Sequence, residues 1–226
     1  MGSGTGSTLF AVSELTGAIL WTTPMPDIGL ETPAVTGSGV YLSDGCTTVD
    51  DDPSTGTPIW STSGACLGSA GLLPIIANGI AYVPGGANYY GGVTLNAQTG
   101  ATLGSYQADT VPAIAATEGF FLQSGTLNAI DLASNTVVWS FTGDGSLTGA
   151  PILVNGDVFV SSSTGALYAL DAATGAVAWT TTLPSPADSG MGYDTTMPYS
   201  GIAAGQGLLV VPAGNTVTAY TLSTNP

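Results

Sequence analysis

A motif of about forty residues recurs along this chain, and a period of that length limits the fold more than any other feature. Its clearest copy runs Leu167-Tyr168-Ala169-Leu170-Asp171-Ala172-Ala173-Thr174-Gly175-Ala176-Val177-Ala178-Trp179. A second runs from Leu9-Phe10-Ala11-Val12-Ser13 through Thr16-Gly17 to Trp21, and a third from Leu127-Asn128-Ala129-Ile130-Asp131 through Ser134-Asn135 to Trp139. Thr48-Val49-Asp50-Asp51-Asp52 leads through Thr55-Gly56 to Trp60, whereas Val93-Thr94-Leu95-Asn96 leads through Thr99-Gly100 to Gly104, where the Trp is missing. A sixth copy, Val217-Thr218-Ala219-Tyr220-Thr221-Leu222, precedes Asn225-Pro226. The turn positions Thr16, Thr55, Thr99, Ser134, Thr174 and Thr224 lie 39, 44, 35, 40 and 50 residues apart, the length of one four-stranded propeller blade.

Each copy reads as a hairpin. Alternating apolar residues give one strand, an Asp, Asn or Ser three residues before the Thr-Gly pair bonds the turn backbone, and Gly takes a positive φ. A second strand carries Trp21, Trp60, Trp139 or Trp179, whose indole is placed to fill the gap between neighbouring sheets and bury about 200 Å². Upstream lies a second apolar pair, as in Ile152-Leu153-Val154 and Asp157-Val158-Phe159-Val160 with Asn155-Gly156 as a two-residue turn between them. The pattern predicts an all-β chain, a β-propeller of about five four-stranded antiparallel blades in a single domain over 1–226, with 1–7 as a flexible N-terminal segment. The closing blade is shared between the N- and C-terminal copies.

The run Gly-Ala-Leu-Tyr-Ala-Leu-Asp-Ala-Ala-Thr-Gly-Ala-Val-Ala-Trp at 165–179 resembles the PQQ-like repeat of quinoprotein dehydrogenases and of outer-membrane assembly scaffolds, and the resemblance covers nearly the whole chain. It implies a propeller, of seven or eight blades in most of that family, so this chain reads either as a smaller propeller or as part of a longer one. For a dehydrogenase it implies a tricarboxylate quinone held at the propeller centre by basic side chains and a calcium or lanthanide ion, with an Asp as base.

Composition bears on that implication. The 226 residues include 15 Asp and Glu and no Lys, Arg or His, a formal charge of −15. No basic group exists to offset three quinone carboxylates, whose burial beside further acids costs several kcal/mol per charge. Without His the usual acid-base chemistry also disappears, and the expectation is a chain that is not an enzyme and holds no cofactor. Nucleic acid is excluded as a partner because no Lys or Arg meets phosphate. No apolar run approaches the roughly 18 residues of a spanning helix, so no membrane insertion is expected.

Few charged residues, 33 Gly and a mean hydropathy of +0.37 point to a secreted or cell-surface protein with another copy or another surface protein as partner. Cys46 and Cys66 read as a disulfide worth roughly 3 kcal/mol, or as two buried thiols. Asp50, Asp51 and Asp52 offer oxygens to a Ca²⁺ ion; the alternative is that Asp52 caps its turn, as Asp131 and Asp171 do, while Asp50 and Asp51 are solvated. Tyr89, Tyr90, Tyr193 and Tyr199 sit in Gly-rich stretches that break the repeat, either as a recognition surface for glycan or protein or as loops covering one face.

The termini carry the last signal. The copies around Leu9, Phe10 and Val12 and around Val217, Ala219, Tyr220 and Leu222 both claim the third strand of the closing blade. One of them is a displaced tail, or one exchanges into a neighbouring molecule and, repeated head to tail, builds a filament.

Overall fold

The computed structural model describes residues 8–25, 32–43, 47–63, 73–85, 91–187, 189–190 and 199–221. Every regular element among them is a strand. The four complete sheets are antiparallel meanders in which sequence order is spatial order. The first is β3 (Ala34–Val35), β4 (Val40–Ser43), β5 (Thr47–Asp51) and β6 (Pro58–Ser63); the second is β7 (Ile75–Ala77), β8 (Ile80–Pro84), β9 (Gly92–Asn96) and β10 (Thr102–Tyr106). The third is β11 (Ala113–Ile114), β12 (Glu118–Gln123), β13 (Thr126–Asp131) and β14 (Thr136–Phe141); the fourth is β15 (Ile152–Val154), β16 (Asp157–Ser161), β17 (Ala166–Asp171) and β18 (Val177–Thr182).

The other sheets are smaller. Before the first, β1 (Thr8–Val12) pairs with β2 (Ile19–Pro24) in a two-stranded sheet. After the fourth come the short pair β19 (Ser189–Gly190) and β20 (Tyr199–Ser200), then a three-stranded sheet of β21 (Ala203–Gly205), β22 (Leu208–Ala213) and β23 (Thr216–Thr221). The described residues fall into two compact units, one within Met1–Tyr106 and one within Gln107–Met191 and Thr195–Pro226. Among the described residues no helix is long and apolar enough to cross a membrane.

Local chemistry explains the meanders. The two-residue turns Asn78-Gly79, Ser124-Gly125, Asn155-Gly156 and Gln206-Gly207 have positive φ at both residues, the backbone twist that joins two strands tightly. The second strand of each complete sheet carries an aromatic residue: Tyr41, Tyr82 and Phe159 are flanked by buried aliphatics, and Phe120 lies between Gly119 and the buried Phe121. In the C-terminal unit, Phe120, Leu122, Leu127 and Ala129 pack with Val158, Val160 and Leu170 into one core, and Phe159, Leu167 and Ala169 pack with Leu209, Val211 and Ala213 into another. The core is therefore made between the faces of successive sheets, which is what two-sided burial of strands such as β16 requires.

A bulge recurs in every outer hairpin and was not legible in the repeat. Register shifts between Ala11 and Val12, Asp50 and Asp51, Ala129 and Ile130, and Ala169 and Leu170 leave Leu20, Ile59, Val138 and Ala178 as extra residues immediately before each Trp. Leu103 is the extra residue before Gly104 in β10. A bulge sharpens the local twist and re-aims the next side chain, which here is the indole.

Candidate functional site

The outer hairpins are built around three repeated contacts. Trp21 Nε1 donates to the Pro53 carbonyl at 2.9 Å, Trp60 Nε1 to Ala97 at 3.0 Å and Trp139 Nε1 to Ala172 at 2.9 Å. Each acceptor follows the Asp or Asn that opens the next hairpin turn. The same indoles lie flat on the turn glycines: a Cβ on Gly56 would stand 2.4 Å from Trp21, one on Gly100 2.5 Å from Trp60, and one on Gly175 2.7 Å from Trp139. Trp179 meets Tyr220 edge to face, with ring centroids 5.2 Å apart. In the complete sheet without Trp, Tyr106 lies two residues beyond Gly104, on the same face of β10, and meets Tyr82 edge to face with ring centroids 5.9 Å apart.

The turns themselves are closed by side-chain oxygens. Asp52 Oδ1 accepts from the Ser54 and Thr55 N–H groups, Asp131 Oδ1 from Ala133 and Ser134, and Asp171 Oδ1 from Thr174, and each also takes the hydroxyl of Thr55, Ser134 or Thr174. These bonds favour the ionised form and hold all three carboxyls below the usual aspartate range. Asn96 makes the same backbone bonds without a charge. A comparable network in the loop before β15 was missed by repeat reading: Asp144 Oδ2 accepts from the Thr164 hydroxyl and from Ser162 Oγ at 2.8 Å. The Gly143-Asp144-Gly145 run was its only visible trace in the sequence.

The three consecutive aspartates divide. Asp52 is partly exposed in its turn, but the solvated reading of Asp50 and Asp51 is corrected: they are 2% and 3% exposed. Adjacent residues of a strand point to opposite faces, so the burial of both Asp50 and Asp51 means that both faces of the sheet are covered at this end of β5, a central strand paired with β4 and β6. Burial and the adjacent Asp51 charge push the Asp50 carboxyl up to about 6, and burial also raises Asp51. Among the described residues no group of three or more acidic, Cys or His side chains is placed to hold a metal ion.

The remaining candidates divide by position. Cys46, Cys66, Tyr89, Tyr90, Tyr193 and Leu222 lie outside the described residues, as does the segment 1–7, and Tyr199 is placed only as backbone in β20. Leu9, Phe10 and Val12 lie on β1, where Phe10 is 55% and Val12 53% exposed; Val217, on β23, is 71% exposed. Among the described residues β1 pairs only with β2 and β23 only with β22.

Comparisons with known proteins agree with this geometry. Among curated proteins no sequence matches. The fold is similar to that of BamB from Moraxella catarrhalis, at 16% identity and a TM-score of 0.65, over 95% of this chain and 66% of that one. It is similar to the computationally designed Ika8 protein, at 16% identity and a TM-score of 0.68, over 92% and 63%. It is also similar to the quinohemoprotein alcohol dehydrogenase of Comamonas testosteroni, at 15% identity and a TM-score of 0.64, over 94% and 49%. The chain thus spans about two thirds or less of the length of these structures, and likeness at such identity establishes the β-propeller fold alone. The family model described as outer membrane protein assembly factor BamB matches residues 5–119 and 123–224, so the chain belongs to that family of PQQ-like-repeat β-propellers.

Proposed function

We propose that this propeller is a non-enzymatic scaffold, working outside the cell, whose partners are proteins and first of all other copies of itself joined by strand exchange at the terminal sheets. The observation that carries this reading is the pair of incomplete sheets. The four central sheets each have four strands, while β1–β2 has two and β21–β23 has three among the described residues. Among the described residues, the second edge of β1 and the outer edge of β23 have no strand partner, and they lie beside exposed Phe10, Val12 and Val217. Neither strand carries a charged side chain, so nothing on them opposes pairing with another strand. The total lack of Lys, Arg and His supports the non-enzymatic part, and the sparse charge supports the extracellular one.

Light scattering after size exclusion, at 0.15 M salt and over a hundredfold range of concentration, tests the assembly. Oligomers that grow with concentration are expected for the wild type and are lost in Val12→Lys/Val217→Lys, while circular dichroism stays unchanged. A wild type that is monodisperse throughout removes strand exchange.

A further inference from the structure

The inner face of the first complete sheet holds a charge with no answer. Asp50 Oδ1 is buried without a hydrogen-bond partner, and the carboxyl accepts only toward the Val40 backbone N–H at its other side. A Cβ on Gly39 would lie 2.1 Å from Asp50 Oδ1 and 2.7 Å from Tyr41 Oη, so the backbone at Gly39 and the ring of Tyr41 close over the acid with no space to spare. Among the described residues the titratable groups around it are Asp51 beside it on β5, Asp52 in the following turn and Tyr41 opposite it on β4. Strands β3, β6 and β7 bring none. No rearrangement can supply a cationic side chain, because the sequence has none. A carboxylate in such a place takes up a proton instead of staying charged.

We infer that Asp50 is a proton-operated lock on the sheet β3–β6: it packs as the neutral acid, and the protein becomes more stable as its surroundings turn acidic. The second support is the charge of the whole chain. Acid unfolds ordinary proteins by protonating carboxylates that are paired or hydrogen-bonded in the native state and by leaving Lys, Arg and His as uncompensated positive charge; the second route is closed here. Here acidification only removes the formal −15, and no side chain becomes positive.

The sign follows from linkage. The folded-state value for Asp50, about 6, lies above the ordinary 3.8, so between them the folded chain binds more protons than the unfolded one. Its stabilisation is complete below the unfolded value and is lost as the pH rises through the folded one. The turn aspartates Asp52, Asp131 and Asp171 act in the opposite sense, but only below the usual aspartate range. Stability therefore peaks in mild acid, below the pH 5 to 8 optimum of most proteins.

Thermal unfolding of the wild type and of Asp50→Asn, from pH 7.5 to 4.5 in 0.5 M NaCl, tests this. That salt concentration screens the exposed charges and leaves the buried one. The wild-type Tm should rise by about 4 °C or more on acidification. Asp50→Asn should melt above the wild type at pH 7.5 and show less than half of the rise. A wild-type Tm that is flat or falls, or an equal rise in the variant, overturns the lock. Should the variant not fold, urea unfolding of the wild type at pH 5 gives a second reading: release of about one proton per chain supports the lock, and no release or net uptake overturns it. The outcome is independent of strand exchange, which has its own assay.

Discussion

Trp139 reaches the turn between β17 and β18 because Gly175 has no Cβ. Gly175 also sits at φ +71°, which a residue with a Cβ adopts at a cost of about 1 kcal/mol. Gly175→Ala adds the displacement of the indole to that strain, so a loss of about 3 kcal/mol is expected. Gly156, in the same sheet at φ +90°, has open space around its would-be Cβ, and Gly156→Ala should lose only about 1 kcal/mol. Urea unfolding separates the two, and in a Trp139→Ala background the Gly175→Ala cost should fall to that of Gly156→Ala. This contact was half legible in the sequence. The spacing of Trp and Thr-Gly gave the repeat, but not that the indole of one copy lies on the glycine of the next. One coincidence hints at it: the copy that lacks Trp, at Gly104, is followed by the copy with Ser134-Asn135 in place of Thr-Gly. At residue scale the aspartates misled, since Asp50 and Asp51 look like any acidic run until the pairing of β5 on both edges is known.

The hairpin was the best-read element, because its strand alternation, turn residues and Trp all point the same way. What remained hidden was the bulge before each Trp. An extra residue in a strand leaves no mark in a pattern that already varies between Leu20, Ile59, Leu103, Val138 and Ala178. The turn is where an element-scale experiment is informative. Asp171 accepts from Thr174 N–H at 2.8 Å and from its hydroxyl at 2.6 Å, and those bonds hold its carboxyl below the usual range. A depressed value stabilises above the unfolded pKa, and the benefit fades as the pH falls through the folded one. Asp171→Ala should accordingly lower the Tm at pH 6 and converge on the wild type in strong acid. Asp171→Asn should keep most of the turn bonds, as Asn96 does in its own turn, and show no such pH dependence. Melting curves for both variants from pH 7 to 2 check this, and a pH-independent deficit in Asp171→Ala would show that the charge is immaterial to the turn.

At the scale of the whole molecule, one sign of charge governs solution behaviour. The fifteen acidic side chains have no cation to pair with, so every pairwise term among them is repulsive. In most proteins salt weakens attractions and repulsions together; here it weakens repulsion only. The Debye length shrinks from about 30 Å at 0.01 M to under 10 Å at 0.5 M, which spans the separations available on a chain of this size. At pH 7 the Tm should therefore climb by several degrees as NaCl is raised from 0.01 to 0.5 M. Well below the usual carboxylate range, where few of the fifteen acids stay ionised, the same titration should change little, and solubility should pass through its minimum. CaCl₂ at matched ionic strength separates a diffuse field from a bound ion. Equal shifts mean that the carboxylates act collectively, while a saturable extra shift at low CaCl₂ means that some of them form a site. A Tm at pH 7 that ignores salt would show the acids to be spaced beyond one another's reach, and the self-repulsion drawn from composition would then have no bearing on stability.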